Sequence, residues 1–192
     1  MKGSGAYRMS KDLFLVIDMQ NVYASGGAWC CPGTEHAAEK IIDILETGKK
    51  DMDVVFTRFI APDAPFGVWK DYNSENNAIN EDAYANEMMN VFKEWVKKYP
   101  LYTKSVYSSL SIPEVRELVH DHDRVVLSGV VAECCVLFTA MALIDAGIPV
   151  IYLKDAVAGI DKDSEHAAEK VLSGLAPLHV KIMTTSEYLA HH

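Results

Sequence analysis

Short apolar runs alternate along the whole chain with segments in which apolar residues have a helical spacing. Strands that alternate with helices form mostly parallel sheets, because each parallel pair needs a crossover that covers one face of the sheet. We predict strands at residues 12–17, 53–60, 101–106, 124–127, 150–153 and 179–183. Helices are predicted at residues 34–47, 81–98, 112–120, 133–146 and 163–173, and a terminal turn at residues 186–190.

This alternation predicts the fold class. We expect an α/β fold with a doubly wound, mostly parallel sheet of about six strands and helices on both faces. The sequence contains no internal repeat and no linker rich in Pro, Gly or Ser, so residues 1–192 are expected to form one domain. Residues 1–10 are interpreted as an N-terminal extension and residues 191–192 as a tag remnant.

The composition argues against two kinds of protein. Hydrophobic residues make up 49% of the 192 residues and charged residues 23%, which is typical of a globular chain and not of a disordered one. Lys and Arg number 18 against 27 Asp and Glu, and a net charge of −9 would repel a phosphate backbone. We therefore expect no nucleic-acid partner.

The sequence also gives expectations about the cell compartment. Residues 125–153 are the most apolar stretch, but glycines and a proline interrupt it, so we interpret it as strand, helix and strand and expect no membrane contact. The N-terminus lacks an apolar run of signal-peptide length. The four cysteines form two adjacent pairs, 30–31 and 134–135, without C-x-x-C spacing. Reduced thiols of this kind fit a cytoplasmic protein.

Three residues follow strands or open a helix and could carry chemistry. Parallel sheets bind ligands at the carboxyl ends of their strands, where Asp18 and Lys104 are predicted to lie. Cys135 is predicted near a helix N-terminus, which favours a thiolate. Each residue alone also fits a plainer role: a turn-forming Asp, a surface Lys and a small buried Cys.

Three segments together resemble the isochorismatase-like cysteine hydrolases, which include nicotinamidases, N-carbamoylsarcosine amidases and ureidoacrylate amidases. The segments are VIDMQNVY at residues 16–23, KSVYSSL at residues 104–110 and SGVVAECCVLFTA at residues 128–140. The resemblance covers residues 13–155, and it implies an isochorismatase-like, Rossmann-like form of the predicted sheet. The Asp-x-Gln-Asn and Gly-Val-x-x-x-x-Cys-Val-x-x-Thr-Ala elements are specific, whereas the Lys element alone is not.

The resemblance implies a catalytic triad of Asp18, Lys104 and Cys135, with Cys135 rather than Cys134 as the sixth residue after Gly129. It further implies an oxyanion hole from the backbone amides of Val131 and Cys135, aimed by a cis peptide bond between residues 130 and 131. The implied activity is hydrolysis of a C–N bond in a small amide, carbamoyl or ureido compound through a thioester. A carboxylate at Glu133 would oppose a nearby thiolate, so we expect its side chain to point away from the sulfur.

One departure from the family concerns metal binding. Where nicotinamidases carry Asp-x-His after the second strand, this chain reads TRFIA at residues 57–61, so that Phe59 and Ala61 replace both metal ligands. The remaining histidines are scattered, and we expect surface roles for those at positions 36, 120, 122, 166 and 179. We expect no metal and no cofactor.

The substrate pocket is harder to read from the sequence. Tyr23 and Tyr107 occupy positions where family members have pocket-lining side chains, and Trp69 lies in a long segment rich in Pro, Gly, Asn and Asp at residues 61–80, which is predicted as a functional loop. Trp69 fits a packing role equally well. Arg58 could contact a substrate carboxylate or pair with a surface acid.

Two alternatives to a hydrolase follow from the same residues. Doubly wound sheets also serve as non-catalytic nucleotide- or flavin-binding modules, although no Gly-x-Gly-x-x-Gly follows any predicted strand. A thiol redox protein could use Cys134 and Cys135, but adjacent cysteines form a poor resolving pair.

The predicted helix that carries Cys135 also suggests assembly. Residues 134–144 are apolar on nearly all sides, with Thr139 the only neutral polar side chain among them. A helix on the outer layer of such a sheet normally has a polar outer face. We therefore expect a homodimer or homotetramer, unless another segment of the same chain covers this face.

Overall fold

A six-stranded, fully parallel sheet runs through the centre of the molecule, as the alternation of strands and helices predicted. The computed structural model describes residues 11–48 and 52–191, so the predicted extension at residues 1–10 and residue 192 lie outside the described residues. The strand order is β3-β2-β1-β4-β5-β6. The strands are β1 (Asp12–Ile17), β2 (Met52–Phe59), β3 (Leu101–Lys104), β4 (Arg124–Val130), β5 (Val150–Ala158) and β6 (Val180–Met183).

Helices cover both faces of this sheet, and several of them are only one turn long. The helices are α1 (Thr34–Thr47), α2 (Trp69–Glu75), α3 (Asn77–Asn80), α4 (Ala83–Asn86), α5 (Trp95–Lys98), α6 (Pro113–Leu118), α7 (Leu137–Asp145), α8 (Lys162–Ser173) and α9 (Thr185–His191).

The central strand β1 separates two hydrophobic cores. Its side chains alternate between the faces of the sheet, as in any strand. Phe14 and Val16 belong to the core under α1 and α9, whereas Leu13, Leu15 and Ile17 belong to the core under α6, α7 and α8. Because β1 is buried on both faces, it is a continuous apolar run and does not alternate with polar residues.

The predictions fail in the region between β2 and β3. Residues 61–80, predicted as a loop, contain α2 and α3, and the amide of Asn76 donates to the carbonyl of Tyr72 within them. The continuous helix predicted at residues 81–98 is wrong, because it is broken into α4, a 3₁₀ turn and α5. Between these pieces the amide of Met89 donates to the carbonyl of Met19, and Glu87 accepts from the amide of Asn21. Backbone bonds to the segment after β1 therefore replace the helical ones.

Strand lengths and one histidine also differ from the predictions. β4 and β5 extend to Val130 and Ala158, past the predicted ends at residues 127 and 153, with a register shift between them near Leu127. His122 is buried, not a surface residue, because its ring bonds to the Leu118 carbonyl and to the Asp53 carboxylate. The histidines at positions 36, 120, 166 and 179 are exposed as expected.

The strand order places the switch point of the sheet between β1 and β4. The chain leaves β1 toward β2 on one side, and it leaves β4 toward β5 on the other. The crevice between the carboxyl ends of two such strands is the usual ligand site of a doubly wound sheet. No helix among residues 11–48 and 52–191 is long and apolar enough to cross a lipid bilayer.

Replacing Gly129 with Ala should strongly destabilise the sheet at this switch point. Gly129 has a φ of +107°, and a Cβ there would lie 2.0 Å from the carbonyl oxygen of Ile17 on β1. We expect the free energy of unfolding to fall by about 3 kcal/mol or more, as measured by denaturant titration. Gly174→Ala is the control, since its added Cβ would approach Val171 only to 3.4 Å. Equal destabilisation by the two substitutions would contradict this account.

Candidate active site

Asp18, Lys104 and Cys135 meet at the carboxyl edge of the sheet. Asp18 directly follows β1, Lys104 is the last residue of β3, and Cys135 lies in the turn after β4. The Lys104 ammonium donates to Asp18 Oδ2 at 2.5 Å and lies 3.2 Å from Cys135 Sγ. None of the three residues is more than 3% exposed. The structure therefore brings together the three side chains that the sequence singled out.

Asp18 is held by its backbone and by a neighbouring strand. Its φ of 53° lies in the left-handed region, which is uncommon for a residue other than Gly but tolerated by Asp. Its amide donates to the Thr57 carbonyl at 3.0 Å, and the Thr57 hydroxyl donates to Asp18 Oδ1 at 2.9 Å. One carboxylate oxygen thus faces Thr57 and the other faces Lys104.

The Lys104 ammonium has a partner for each of its three protons. Besides Asp18 and Cys135 it donates to the Val106 carbonyl at 3.2 Å. Burial opposes the charge on Lys104, but the Asp18 carboxylate and the Cys135 sulfur outweigh burial, so that the pKa of Lys104 is raised above its ordinary value. Lys104 is therefore a fixed cation.

Cys135 lies in a π-helical turn, Ala132–Val136, that precedes α7. The Val131 carbonyl accepts from the amides of both Cys134 and Val136 at 3.1 Å, which tightens the entry into the helix. The Val130–Val131 peptide bond is cis, at the position that the family resemblance had implied. Val131 directly precedes this turn and Cys135 is its fourth residue, so both lie near a helix N-terminus, where several N–H groups have no partner within the helix.

The sequence reasoning missed the positioning role of Thr139. This buried hydroxyl donates to the Cys135 carbonyl at 2.7 Å and accepts from the Ser109 amide at 2.9 Å. It therefore ties the turn that carries Cys135 to the loop that follows β3 and Lys104. Thr139 is the only neutral polar residue in the apolar segment 134–144, and this isolation could have indicated its role.

Gln20 is a second residue that sequence reasoning left without a role. Its side chain accepts from the Phe59 amide at 2.8 Å and donates to the carbonyls of Phe59 and Asn86 at 3.0 and 2.9 Å. The end of β2 is thereby fastened to α4 beside Asp18. The Gln in the Asp-x-Gln-Asn element is therefore structural support for the site.

The surroundings of the Cys135 thiol oppose its ionisation. Burial raises the pKa of Cys135, the Asp18 carboxylate raises it further, and Lys104 opposes both only in part. Burial and the neighbouring carboxylate thus oppose the thiolate that a helix N-terminus would favour. A carboxylate that can accept the proton lies beside it.

The Glu133 carboxylate affects the pKa of two cysteines other than Cys135. Its Oε1 accepts from the Ile160 amide at 3.1 Å, beyond the end of β5. Burial, and after it the charge of Glu133, raises the pKa of Cys31 to about 12 and raises that of Cys134. The groups that shift the pKa of Cys135 are burial, Asp18 and Lys104. This agrees with the expectation that the Glu133 side chain points away from the Cys135 sulfur.

Seven rings form a connected aromatic wall beside the three residues. Ring centroids 4.9–6.4 Å apart link Trp69 to Tyr107, Phe59 and Tyr72, and link Trp29 to Phe59, Tyr72 and Tyr23. Tyr107 also contacts Phe138 at 5.1 Å. The members of this aromatic wall are Tyr23, Trp29, Phe59, Trp69, Tyr72, Tyr107 and Phe138.

The aromatic wall includes the three pocket residues named from the sequence, Tyr23, Trp69 and Tyr107. Burial, and after it Cys135 and Asp18, raises the pKa of Tyr23 well above its ordinary value, so its hydroxyl keeps its proton. Sequence reasoning missed Trp29, Tyr72 and Phe138, because their proximity depends on how the segment after β1, α2 and α7 pack against one another. Arg58 donates to the Thr103 hydroxyl at 3.0 Å.

Phe59 and Ala61 stand at the positions where the resemblance to nicotinamidases implied metal ligands. Phe59 packs its ring against Trp29 and Trp69 and lies 5.7 Å from the Lys104 ammonium. Neither Phe59 nor Ala61 offers a ligand atom in its side chain, so these positions do not fit a metal ion. Within residues 11–48 and 52–191, no group of three or more His, Cys, Asp or Glu side chains is arranged to hold one.

Solved structures of other proteins share this fold. The chain superimposes on an isochorismatase-like hydrolase from Alkaliphilus metalliredigens with a TM-score of 0.75 at 21% identity, covering 95% of this chain and 99% of that one. A cysteine hydrolase from Pseudomonas syringae pv. phaseolicola gives 0.80 at 20% identity over 94% and 91% of the two chains. Nicotinamidase PncA from Bacillus subtilis gives 0.71 at 19% identity over 86% and 96%.

The comparison by sequence is more specific. No match was found among curated proteins. The family model described as the isochorismatase domain matches residues 12–187, which include all six strands and all three candidate catalytic residues. The protein is therefore a member of the isochorismatase family of hydrolases.

Proposed function

We propose that the protein is a cysteine amidohydrolase that cleaves the C–N bond of a small amide, carbamoyl or ureido compound. The observation that carries the proposal is the buried contact of one ammonium with both a carboxylate and a thiol. A nucleophile, a base and a fixed cation within hydrogen-bond reach are what acyl transfer to sulfur needs.

The first half-reaction forms a thioester. Asp18 takes the proton from the Cys135 thiol as Sγ attacks the carbonyl carbon of the substrate. The carbonyl electrons move onto oxygen, and the amides of Val131 and Cys135 would hold that oxyanion. When the oxyanion collapses, the C–N bond breaks and Asp18 returns its proton to the leaving nitrogen, which departs as ammonia or an amine.

The second half-reaction restores the enzyme. Asp18 accepts a proton from a water molecule as that water attacks the thioester carbon. The C–S bond then breaks, Asp18 returns the proton to the sulfur, and the acid leaves. Lys104 stays protonated throughout, since all three of its N–H groups have partners and its pKa is raised.

The proposal also covers the size of the substrate, the cell compartment and the oligomeric state. The substrate is a small molecule, and the four free thiols fit a reducing cytoplasm. We further propose a homodimer or homotetramer, because α7 exposes Phe138 and Met141 on its outer face, at 53% and 38%.

Replacing Cys135 with Ala should abolish hydrolysis, whereas Cys134→Ala should keep most of it. Only the Cys135 sulfur lies 3.2 Å from the Lys104 ammonium. We expect kcat/KM for ammonia release from a small amide to fall by roughly a thousandfold or more for Cys135→Ala. Asp18→Asn should lose roughly a hundredfold or more, because the amide keeps the shape but accepts no proton. An inactive Cys134 variant beside an active Cys135 variant would contradict the assignment.

The Cys135 thiol should not ionise at neutral pH. Because its pKa is raised, the ultraviolet difference spectrum of native protein minus Cys135→Ala should show no thiolate below about pH 9, above the ordinary thiol value of about 8.5. In the Asp18→Asn background the thiolate should appear at lower pH, because the opposing carboxylate is gone while Lys104 remains. A native thiolate that titrates below about pH 8 would overturn the proposed proton transfer.

Hydrolysis should need no metal ion, because the side chains of Phe59 and Ala61 have no ligand atoms. Dialysis against a chelator should leave kcat/KM unchanged, and added zinc, iron or manganese should not raise it. The comparison is with untreated protein in the same buffer. Activity that disappears with the chelator and returns with a divalent ion would show that this prediction is wrong.

A further inference from the structure

Thr57 is a buried polar residue that follows three apolar residues in β2. It pairs with Ile17 on β1, and it lies on the same side of the sheet as Val55, two residues earlier in the strand. Ile17 and Val55 belong to the core under α6, α7 and α8. A hydroxyl buried at such a position costs free energy unless it has a hydrogen-bond partner. A valine of the same shape would avoid that cost, so the hydroxyl calls for an explanation.

The partner of this hydroxyl is the candidate base. Thr57 Oγ1 donates to Asp18 Oδ1 at 2.9 Å, and the Thr57 carbonyl accepts from the Asp18 amide at 3.0 Å. Thr57 and Asp18 are both 0% exposed, so this contact is made out of reach of solvent. A hydrogen bond to an ionised carboxylate is roughly twice as strong as one between neutral groups. The buried hydroxyl of β2 is therefore directed at the acid that follows β1.

Two physical effects of this bond bear on proton transfer. The last torsion of an aspartate side chain is only loosely restricted, so a donor on Oδ1 fixes the rotation of the Asp18 carboxylate while Oδ2 faces Lys104. A donor also favours the ionised form of a carboxyl group, whereas burial favours the neutral form. The Thr57 hydroxyl thus acts on both the orientation and the charge of the base.

We propose that Thr57 is a positioning residue that holds the Asp18 carboxylate ionised and turned toward Lys104, so that it can accept the Cys135 proton. The proposal rests on the proposed amidohydrolase function and adds one residue to its machinery. Thr57 acts through Asp18, so it affects how well the base works and not how the substrate binds.

Replacing Thr57 with Val removes the hydroxyl and keeps the shape of the side chain. We expect kcat for ammonia release from a small amide to fall by roughly tenfold, while KM changes by less than about twofold. Without the donor the carboxylate keeps its proton to higher pH, so the acid limb of kcat/KM should move up by about one pH unit. Thr57→Ser, which restores a hydroxyl, should return the acid limb to its native position. A raised KM with an unchanged acid limb would overturn the proposal.

Ser128→Ala is the matched control. Ser128 on β4 is also 0% exposed, and its hydroxyl donates to the Leu15 carbonyl at 3.3 Å. This variant therefore loses a buried hydrogen bond of the same sheet without touching a carboxylate. We expect both variants to lower the free energy of unfolding in a denaturant titration, but only Thr57→Val should move the acid limb. Equal shifts of the acid limb in the two variants would reveal a general effect on the sheet and contradict the role of Thr57.

A titration without substrate separates this proposal from the proposed function. The carboxyl carbon of Asp18 can be followed by NMR in protein that contains isotope-labelled aspartate, and its signal is identified by its absence from Asp18→Asn. We expect the midpoint of this titration to lie about one pH unit higher in Thr57→Val than in native protein, and to be unchanged in Ser128→Ala.

The outcomes of this titration are distinct. A raised midpoint in a protein without turnover would contradict the amidohydrolase function and support the action of Thr57 on Asp18. An unchanged midpoint would overturn the inference itself, whatever the turnover. Thr57→Ala also lacks the hydroxyl, and it gives the same readout if the valine variant does not fold.

Discussion

A single buried ammonium organises the carboxyl edge of this sheet. Lys104 is 2% exposed and donates to an acid from β1, to a thiol from the turn after β4 and to a carbonyl two residues further along its own chain. Removing a charge from water costs several kcal/mol unless partners replace the water. Because those partners come from three parts of the fold, β1, β3 and the turn after β4 must keep their relative positions for the ammonium to stay charged.

The strand order of the sheet holds these three parts of the fold in their relative positions. β1 and β4 are neighbours at the switch point, and their register is fixed by Gly129, which lies so close to Ile17 that no side chain fits. Thr139 and Gln20 then fasten two further parts of the edge, the turn that carries Cys135 and the end of β2 beside α4. Both side chains use all their strongest hydrogen bonds on backbone groups, so they act as positioning residues and need not touch a substrate.

Much of this arrangement could be predicted from the sequence, because the information is local. Each strand is an apolar run, and Asp18 and Lys104 stand where such runs end, so that the sheet alone brings them to one edge. The helix predicted at residues 81–98 failed for the opposite reason. Backbone groups of Glu87 and Met89 bond to residues about 70 positions earlier, and no local pattern reports that pairing. The other rings of the aromatic wall could not be predicted for the same reason. Their proximity depends on contacts between segments that are distant in the sequence.

In the proposed resting state, the site contains one internal ion pair and carries no net charge. Asp18 and Lys104 form an ion pair, and the raised pKa of Cys135 favours the uncharged thiol. In the proposed mechanism, moving the thiol proton to Asp18 would shift a negative charge from oxygen to sulfur without changing the net charge, and the Lys104 ammonium contacts both groups. A surface of aromatic rings is compatible with such a site, because the rings exclude water without adding a fixed charge.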